Sequence, residues 1–226
     1  MKRLRFPRKT VFAFCAVCCV AALFAGRVLR ADGIPPPNPK TAREALSDPN
    51  EVANWKHPKG FEKDVFTFVR LRYEVGGRTG RYNPYRWAID YPDADLNLSF
   101  RLQQMTSLKV DPDGRVLRIT DPELFRYPFV YAVEPGDLLL TEAEVQALRR
   151  YLLNGGFLMV DDFWGEDEWN GFESQMKRIF PDRGWKEIPR SDPLFHCVFD
   201  LPETLNLQCP NVRLGTMSQY TGVTWE

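Results

Sequence analysis

The stretch "LTEAEVQALRRYLLNGGFLMVDD", residues 140–162, combines the signals of a helix, a turn and a strand. Thr141 followed three residues later by Glu144 is the pattern of a capping box, which predicts that a helix begins here. One helical face then carries the apolar residues Val145, Leu148 and Leu152. Asn154 and Gly155 predict the end of the helix, with a backbone dihedral φ above zero at one of the two glycines that follow Asn154.

A continuous apolar run, Phe157 to Val160, follows the glycines and is typical of a strand in a sheet core. A helix, a glycine stop and a core strand form the repeating half of a parallel α/β sheet. The sequence therefore predicts an α/β fold, a three-layer sandwich with a mainly parallel sheet.

Segments on both sides extend this pattern. Residues 64–75 read as a strand that is buried on both faces for half its length, and two short apolar segments, 114–120 and 127–133, read as further strands. Residues 91–110 fit the period of a strand and that of a helix, and we favour a helix because a proline and aspartates stand at its start. A last helix is predicted at about 168–179, with Phe172, Met176 and Ile179 on one side.

The N-terminal segment has the pattern of an export signal. Five basic residues precede an apolar run over residues 11–25, with no acidic residue before it. Residues 1–31 are therefore predicted to be either a cleaved signal peptide or a retained N-terminal anchor. In both cases we expect the chain to be exported, as a periplasmic, extracellular or membrane-anchored protein, with membrane association through this segment in the second case.

A proline-rich stretch separates this segment from the main domain. Residues 32–60 contain "GIPPPNPK" and a possible amphipathic segment, which predicts an extended linker followed by a short helix. We expect the α/β domain to occupy residues 61–226.

Charge and cysteine content limit the function classes. Cleavage after Ala25 would remove five basic and no acidic residues from a chain of zero formal charge, leaving a net charge of −5. An acidic protein with scattered arginines is a poor nucleic-acid binder, so no nucleic-acid partner is expected. Outside the apolar run, Cys197 and Cys209 either form a disulfide or remain free thiols, and their spacing indicates no metal or redox motif.

The block "YLLNGGFLMVDDFWG", residues 151–165, and the segments around it resemble the bacterial domain-of-unknown-function 4159 family, from about Phe66 to the C-terminus. That family is similar in turn to ThuA-like and class I glutamine-amidotransferase-like folds. The resemblance implies a flavodoxin-like α/β sandwich in an exported bacterial protein, but no established activity. It also implies that family members continue beyond the final "TGVTWE", so we expect this chain to be a truncated member.

One departure from the amidotransferase-like folds affects the expected chemistry. In those folds the strand that corresponds to residues 157–160 delivers a nucleophilic cysteine on a tight turn. Here the strand delivers Asp161 and Asp162, without a cysteine or serine at that position. The acyl-enzyme route of class I amidotransferases needs a thiolate, so we do not expect that activity.

Acidic and aromatic residues follow several predicted strands, and in a parallel sheet ligands collect at the carboxyl ends of strands. These candidate ligand-binding residues are Asp90, Asp93, Asp161, Asp162, Trp164 and His196. Carboxylate oxygens suit a divalent cation or sugar hydroxyls, and aromatic faces stack on sugar rings. The identity of a metal or cofactor stays open.

Each of these residues also has a structural interpretation. Asp93 and Asp95 are suited to cap the helix predicted within residues 91–110, and Asp162 is suited to cap the helix after it. The acidic residues after Asp162 also favour a helix start through the helix dipole. A histidine in an apolar segment such as "PLFHCVF", residues 193–199, is often a satisfied structural residue.

Two classes of function remain. The first is a non-catalytic binding or assembly module of the cell envelope, which holds an envelope protein or a small-molecule or glycan ligand. The second is a carboxylate- or metal-dependent hydrolase of a glycan-like or ester substrate, with Asp161 or Asp162 as general base or metal ligand. We favour the first, because no histidine or nucleophile is linked to these carboxylates by its spacing.

Overall fold

A computed structural model describes residues 35–46, 52–57, 60, 64–77, 83–162, 164–189, 191–197, 200, 208–210, 217–219 and 223–225, the last three segments as backbone only. The chain divides into two compact units, Met1–Ile179 and Phe180–Glu226. The apolar run over residues 11–25 lies outside the described residues. Within the described part, no helix has the length and apolar character needed to cross a membrane.

The first unit alternates strands and helices. In chain order its strands are β1 (Val69–Arg72), β2 (Glu74–Val75), β3 (Arg115–Arg118), β4 (Phe129–Val133), β5 (Leu138–Leu139) and β6 (Phe157–Asp161). Its α-helices are α1 (Asp93–Met105), α2 (Glu142–Leu153) and α3 (Gly165–Ile179). Its short 3-10 helices are Arg43–Ala45, Arg86–Ala88, Pro122–Arg126 and Pro135–Asp137.

Four of these strands form one parallel sheet in the order β3-β1-β4-β6. β2 and β5 form a separate antiparallel pair. The chain runs from β1 outward to β3, then crosses back to β4 and continues to β6. The strand order therefore reverses between β1 and β4, and at such a point the carboxyl ends of parallel strands leave a crevice.

Helices cover both faces of the sheet. On one face, Asp95 of α1 bonds to Arg70 of β1. On the other face, Leu148 of α2 and Phe172 of α3 line a small apolar void together with sheet residues such as Leu71. The fold is thus an α/β sandwich of three layers, as the sequence predicts.

The helix, turn and strand signals of residues 140–162 are confirmed. The Thr141 side chain accepts a hydrogen bond from the Glu144 amide, and the Glu144 side chain bonds back to the Thr141 amide, which completes the capping box. Asn154 is the C-cap, and Gly155 has φ of 87°, where a side chain would be strained. Gly156 allows close packing, because a Cβ there would lie 2.4 Å from the Tyr151 ring.

The burial of β6 differs from the prediction. We expected a core strand, but β6 is at the end of the described sheet, and its residues are exposed or half-buried, Phe157 to 58%. An apolar run predicts a strand from its own residues, whereas the burial of that strand depends on what pairs and packs with it.

The residues predicted to be a linker also pack against the domain. Ala42, Leu46 and Val52 form a buried cluster with Leu96 of α1. The only helical turn described in this stretch is the 3-10 helix Arg43–Ala45. The boundary at residue 61 stays a prediction, but the preceding residues contribute to the core.

The same segment covers the outer side of β3. The Val116 amide donates to the Lys40 carbonyl oxygen at 3.0 Å, and the Arg118 amide donates to Asp121 Oδ2 at 2.7 Å. Alternate amides of a strand point to opposite sides. The two outward amides of β3 are therefore both bonded within the chain.

A buried ion pair joins β1 to α1. Arg70 is fully buried and binds Asp95 through Nε and Nη2, while its Nη1 donates to the carbonyl oxygens of Trp87 and Ile89. Burial raises the pKa of Asp95, and Arg70 lowers it by a smaller amount. Each polar group of the guanidinium has a partner, which a charge at this depth requires.

The second unit contains β7 (Trp185–Glu187), β8 (Gln208–Pro210), β9 (Met217–Gln219) and β10 (Val223–Trp225). β7 pairs with β10 and β8 with β9, both antiparallel. The unit also contains the 3-10 helix Pro193–His196, which the Asp192 side chain caps by accepting from the Leu194 amide.

Candidate functional site

The crevice between the carboxyl ends of β1 and β4 is filled by side chains of the protein itself. The Tyr73 hydroxyl lies 2.7 Å from the Val133 carbonyl oxygen and 2.8 Å from that of Glu134, so it links the two strand ends. Burial, and then the nearby Glu134 carboxylate, raise the pKa of Tyr73. The phenol is therefore a fixed hydrogen-bond donor.

Arg86 enters the same crevice from its short helix and contacts three carboxylates. Its Nη1 lies 3.0 Å from Glu168 Oε1 and 3.6 Å from Glu134 Oε2, and its Nε lies 3.3 Å from Asp137 Oδ2. Asp137 is fully buried, and Arg86 is 7% exposed. Burial lowers the pKa of Arg86, but the carboxylates together raise it above its ordinary value. Among the described residues, this group contains three carboxylates and one guanidinium.

Backbone geometry brings these carboxylates together. Glu134 follows β4 with φ of 46° and ψ of 47°, in the left-handed region, and the chain then forms the 3-10 helix Pro135–Asp137. This helix packs against the start of α3 so closely that a Cβ on Gly136 would lie 2.4 Å from the Glu168 Cβ. A residue with no side chain at position 136 therefore allows Asp137 and Glu168 to approach the same arginine.

The residues after β6 extend this network. Glu168 Oε2 accepts a hydrogen bond from the Trp164 amide at 2.7 Å, and the Trp164 indole Nε1 donates to Asp162 Oδ1 at 2.6 Å. Glu168 therefore connects Arg86 to Trp164. We call the set Glu134, Asp137, Asp161, Asp162 and Glu168 the acidic half of the carboxyl edge.

Asp161 lies at the open end of this network. Its carboxylate accepts from the Asp162 amide at 2.8 Å and from the Tyr131 hydroxyl at 3.2 Å, and the residue is exposed. Burial and the Asp161 carboxylate raise the pKa of Tyr131, which keeps its proton and continues to donate. Asp161 thus has a fixed orientation and remains accessible to solvent.

The structure places Asp162 in a role different from the predicted helix cap. Its φ of 56° is in the left-handed region, and its carboxylate bonds to the indole of Trp164. Glu168 in the first turn of α3 instead reaches back to a preceding amide, that of Trp164. The helix begins at Gly165, which is three residues earlier than predicted.

The other predicted site residues lie elsewhere. Asp90 and Asp93 are both exposed, Asp90 with φ of 56° and Asp93 as the first residue of α1. No hydrogen bond or ion pair links these two described residues to Asp161 or Asp162, and the N-cap of α1 is Pro92, without a side-chain cap bond. Within the described part of the chain, no three His, Cys, Asp or Glu residues are placed to hold a metal ion.

His196 and Cys197 belong to the second unit. His196 Nδ1 bonds to Asp200 Oδ1, and both residues are exposed. The Cys197 Sγ lies 3.3 Å from the Leu194 carbonyl oxygen and bonds to it. The side chain of Cys209 lies outside the described residues, so the disulfide stays a prediction.

The sequence analysis did not identify Arg86, Glu134, Asp137 or Glu168 as site residues. The rule applied to Asp161, that acids after a parallel strand lie at the carboxyl edge, also applies to "VEPGD", residues 133–137, directly after β4. No comparable signal marks Arg86, which is 82 residues from Glu168 in the chain.

One known protein family matches most of the chain. The family model described as "Domain of unknown function (DUF4159)" matches residues 67–225, which is more than half of the chain. No curated protein gives a significant match. The chain therefore belongs to the DUF4159 family.

Proposed function

We propose that this member of the DUF4159 family is a non-catalytic binding module of the bacterial cell envelope, which holds a glycan-like ligand beside Asp161 and Trp164. The observation that supports this most strongly is the hydrogen bond of 2.6 Å between Asp162 Oδ1 and the Trp164 indole nitrogen. It fixes the Trp164 ring against the half-buried carboxylate of Asp162, whose neighbour in the chain, Asp161, is exposed at the carboxyl edge of the parallel sheet.

The two side chains provide complementary contacts for a sugar. A carboxylate is an acceptor with several lone-pair sites, and sugar hydroxyls are donors. An aromatic face supplies apolar contact for the ring, and a few fixed polar groups then orient the ligand. Since Asp161 and Trp164 are already positioned by their neighbours, little side-chain freedom is lost on binding.

Binding rather than catalysis is favoured by what already holds the carboxylates. A general base must reach a substrate proton, and its pKa must suit the transfer. Asp161 accepts from an amide and a phenol, Asp162 accepts from an indole, and the remaining acids surround Arg86. These contacts hold the carboxylates in place as hydrogen-bond acceptors.

The cellular location in this proposal comes from the N-terminal sequence. Five basic residues followed by the apolar run over residues 11–25 predict transport across the cytoplasmic membrane. A module delivered to the envelope would meet glycans and envelope proteins, which are the partners expected from the acidic and aromatic edge.

Calorimetric titration with two neutral probes, N-acetylglucosamine oligomers and glucose oligomers, tests the proposal. We expect at least one to bind saturably, and Asp161→Asn to weaken that binding about tenfold through loss of a charge-assisted hydrogen bond. Trp164→Phe should also weaken binding. Trp55→Phe is the matched control, because the Trp55 indole bonds to the Val110 carbonyl oxygen, away from these residues.

The absence of saturable binding to both oligomers would reject a glycan ligand of these classes. Equal weakening by Trp55→Phe and Trp164→Phe would show that the effect is not local to the proposed site.

A further inference from the structure

A pocket of about 200 Å³ opens beside the carboxyl ends of β1 and β3. Its polar lining includes Asn38, Lys40, Arg72, Arg118 and Asp121. We propose that this pocket binds an oxyanion group, the phosphate or carboxylate of a small molecule. This site is separate from the proposed glycan site and does not depend on it.

Strand pairing places Arg72 and Arg118 next to each other. Arg72 and Arg118 are register partners on adjacent parallel strands, so their side chains leave the same face of the sheet. Adjacent strands are about 4.8 Å apart, a separation at which two guanidinium groups can contact the same phosphate or carboxylate.

Arg72 is held in place with donors left over. Its Nη1 donates to the Pro37 carbonyl oxygen at 2.7 Å, and its guanidinium carbon lies 5.3 Å from the centre of the Trp87 ring. Among the described residues, Nε and Nη2 of Arg72 have no hydrogen-bond acceptor. A guanidinium fixed on an aromatic ring with unused N–H groups is suited to bidentate recognition of an oxyanion.

Arg118 has a partner that a ligand can displace. Its Nη1 lies 3.1 Å from Glu74 Oε1, with the two side chains 41% and 65% exposed. Exposed pairs of this kind contribute little to stability, because water and salt screen them. If a bound oxyanion replaced the Glu74 carboxylate as the partner of Arg118, the loss of this ion pair would therefore cost little free energy.

The charge of the lining also favours an anion. Lys40, Arg72 and Arg118 are positive, and we call these three residues the basic half of the carboxyl edge. The acid in the lining, Asp121, is directed to the strand edge, where its Oδ2 accepts from the Arg118 amide. The lining thus contains three cations and one carboxylate that already has a backbone donor, while the exposed Glu74 pairs with Arg118 from outside the lining.

The position of the pocket in the fold also favours a ligand-binding site. β1 and β3 end at the same edge of the sheet as β4 and β6, and α/β sheets bind ligands outside this edge. The crevice between β1 and β4 is filled by Tyr73 and Arg86, whereas the pocket beside β3 is open.

The test is a titration of the full chain with inorganic phosphate and, separately, with citrate, at constant ionic strength. We expect saturable binding of at least one probe. Arg118→Gln should weaken it about tenfold, as expected for a lost hydrogen bond between charged groups. Arg101→Gln is the matched control, because it removes the same charge from an exposed site on α1.

The two probes distinguish the sources of the anion. Binding of phosphate alone would identify a phosphoryl group, binding of citrate alone a carboxylate, and binding of both an oxyanion site of either kind. No saturable binding of either probe, or equal weakening by Arg101→Gln, would overturn the proposal.

Unfolding curves show whether each variant is folded, so that a loss of binding can be assigned to the site and not to unfolding. If Arg118→Gln does not fold, Lys40→Gln replaces it, since Lys40 is exposed and lies in the same lining. Unchanged binding in the replacement variant would also count against the site.

Discussion

Along the carboxyl edge of one sheet, the basic half beside β3 and β1 and the acidic half beside β4 and β6 are built differently. In the acidic half Asp137 is fully buried. The carboxylates of this half are bonded to Arg86, to backbone amides or to an indole. In the basic half the side-chain ion pair is exposed, and Arg72 has N–H groups that meet no acceptor among the described residues. Most of the acidic half therefore contributes to stability and leaves Asp161 accessible to solvent, whereas the basic half faces an open pocket.

This contrast explains why charge alone is a poor guide to a site. The acidic half has more charged groups, but its carboxylates are bonded to Arg86, to backbone amides, to a phenol or to an indole, and only Asp161 is exposed at the strand end. The basic half has fewer groups, and those groups face a pocket. The two halves therefore differ in whether hydrogen-bond donors without a described partner are accessible, and not only in the number of charges.

The strongest test of the contrast is to remove Arg86. Arg86→Gln leaves three carboxylates without their shared cation, and we expect a loss of about 3 kcal/mol in the free energy of unfolding, measured with urea. Arg118→Gln is the control from the basic half, with an expected change within about 0.5 kcal/mol. Equal losses in both variants would remove the distinction between the two halves.

The close approach of the Pro135–Asp137 helix to α3 gives a second test. In Gly136→Ala the new Cβ would lie 2.4 Å from the Glu168 Cβ and 2.9 Å from its Cα, so backbone must shift. We expect a loss of about 2 kcal/mol from overpacking, again by urea unfolding.

Gly155→Ala separates this crowding from backbone strain. Gly155 has φ of 87° and open space around it, so an alanine there should cost about 1 kcal/mol from its conformation alone. A larger loss for Gly155→Ala than for Gly136→Ala would contradict the tight packing of the acidic half.

The pH dependence of Tyr73 gives a smaller expected effect than Arg86→Gln or Gly136→Ala. In the folded state the pKa of Tyr73 is raised by burial and by Glu134, whereas an unfolded tyrosine ionises at about pH 10. The stabilisation is fully present below the unfolded pKa and is lost as pH rises above it. Between pH 9 and 11 the loss should be about 1.4 kcal/mol for this one group.

Tyr73→Phe removes that part of the pH dependence. Unfolding free energies of the parent and variant at both pH values give the difference, and Tyr85→Phe, at an exposed tyrosine, is the control. An unchanged slope in Tyr73→Phe would mean that the phenol is not held protonated between the two strand ends.

Local signals in the sequence predicted the elements well. The capping box at Thr141, the stop at Gly155 and the identity of α1 depend on residues close together in the chain, and the structure confirms all three. The position of Asp161 at a strand end was predicted for the same reason, because a strand and the acid after it are adjacent in sequence.

Contacts between distant segments were not predictable in this way. Arg70 lies in an apolar strand, and its partner Asp95, 25 residues away, was interpreted as a possible helix cap. The half-exposed state of β6 depends on its place at the end of the described sheet. Periodicity reports which residues share a face, but not which segment packs on that face.

The sealed outer side of β3 has a consequence for how copies of this protein can associate. Its two outward amides already donate to the Lys40 carbonyl oxygen and to Asp121, so they are not available as donors to a strand added from another chain. A sheet edge whose donors are bonded within the chain offers an incoming strand fewer partners, which protects this side of the sheet from edge-to-edge aggregation.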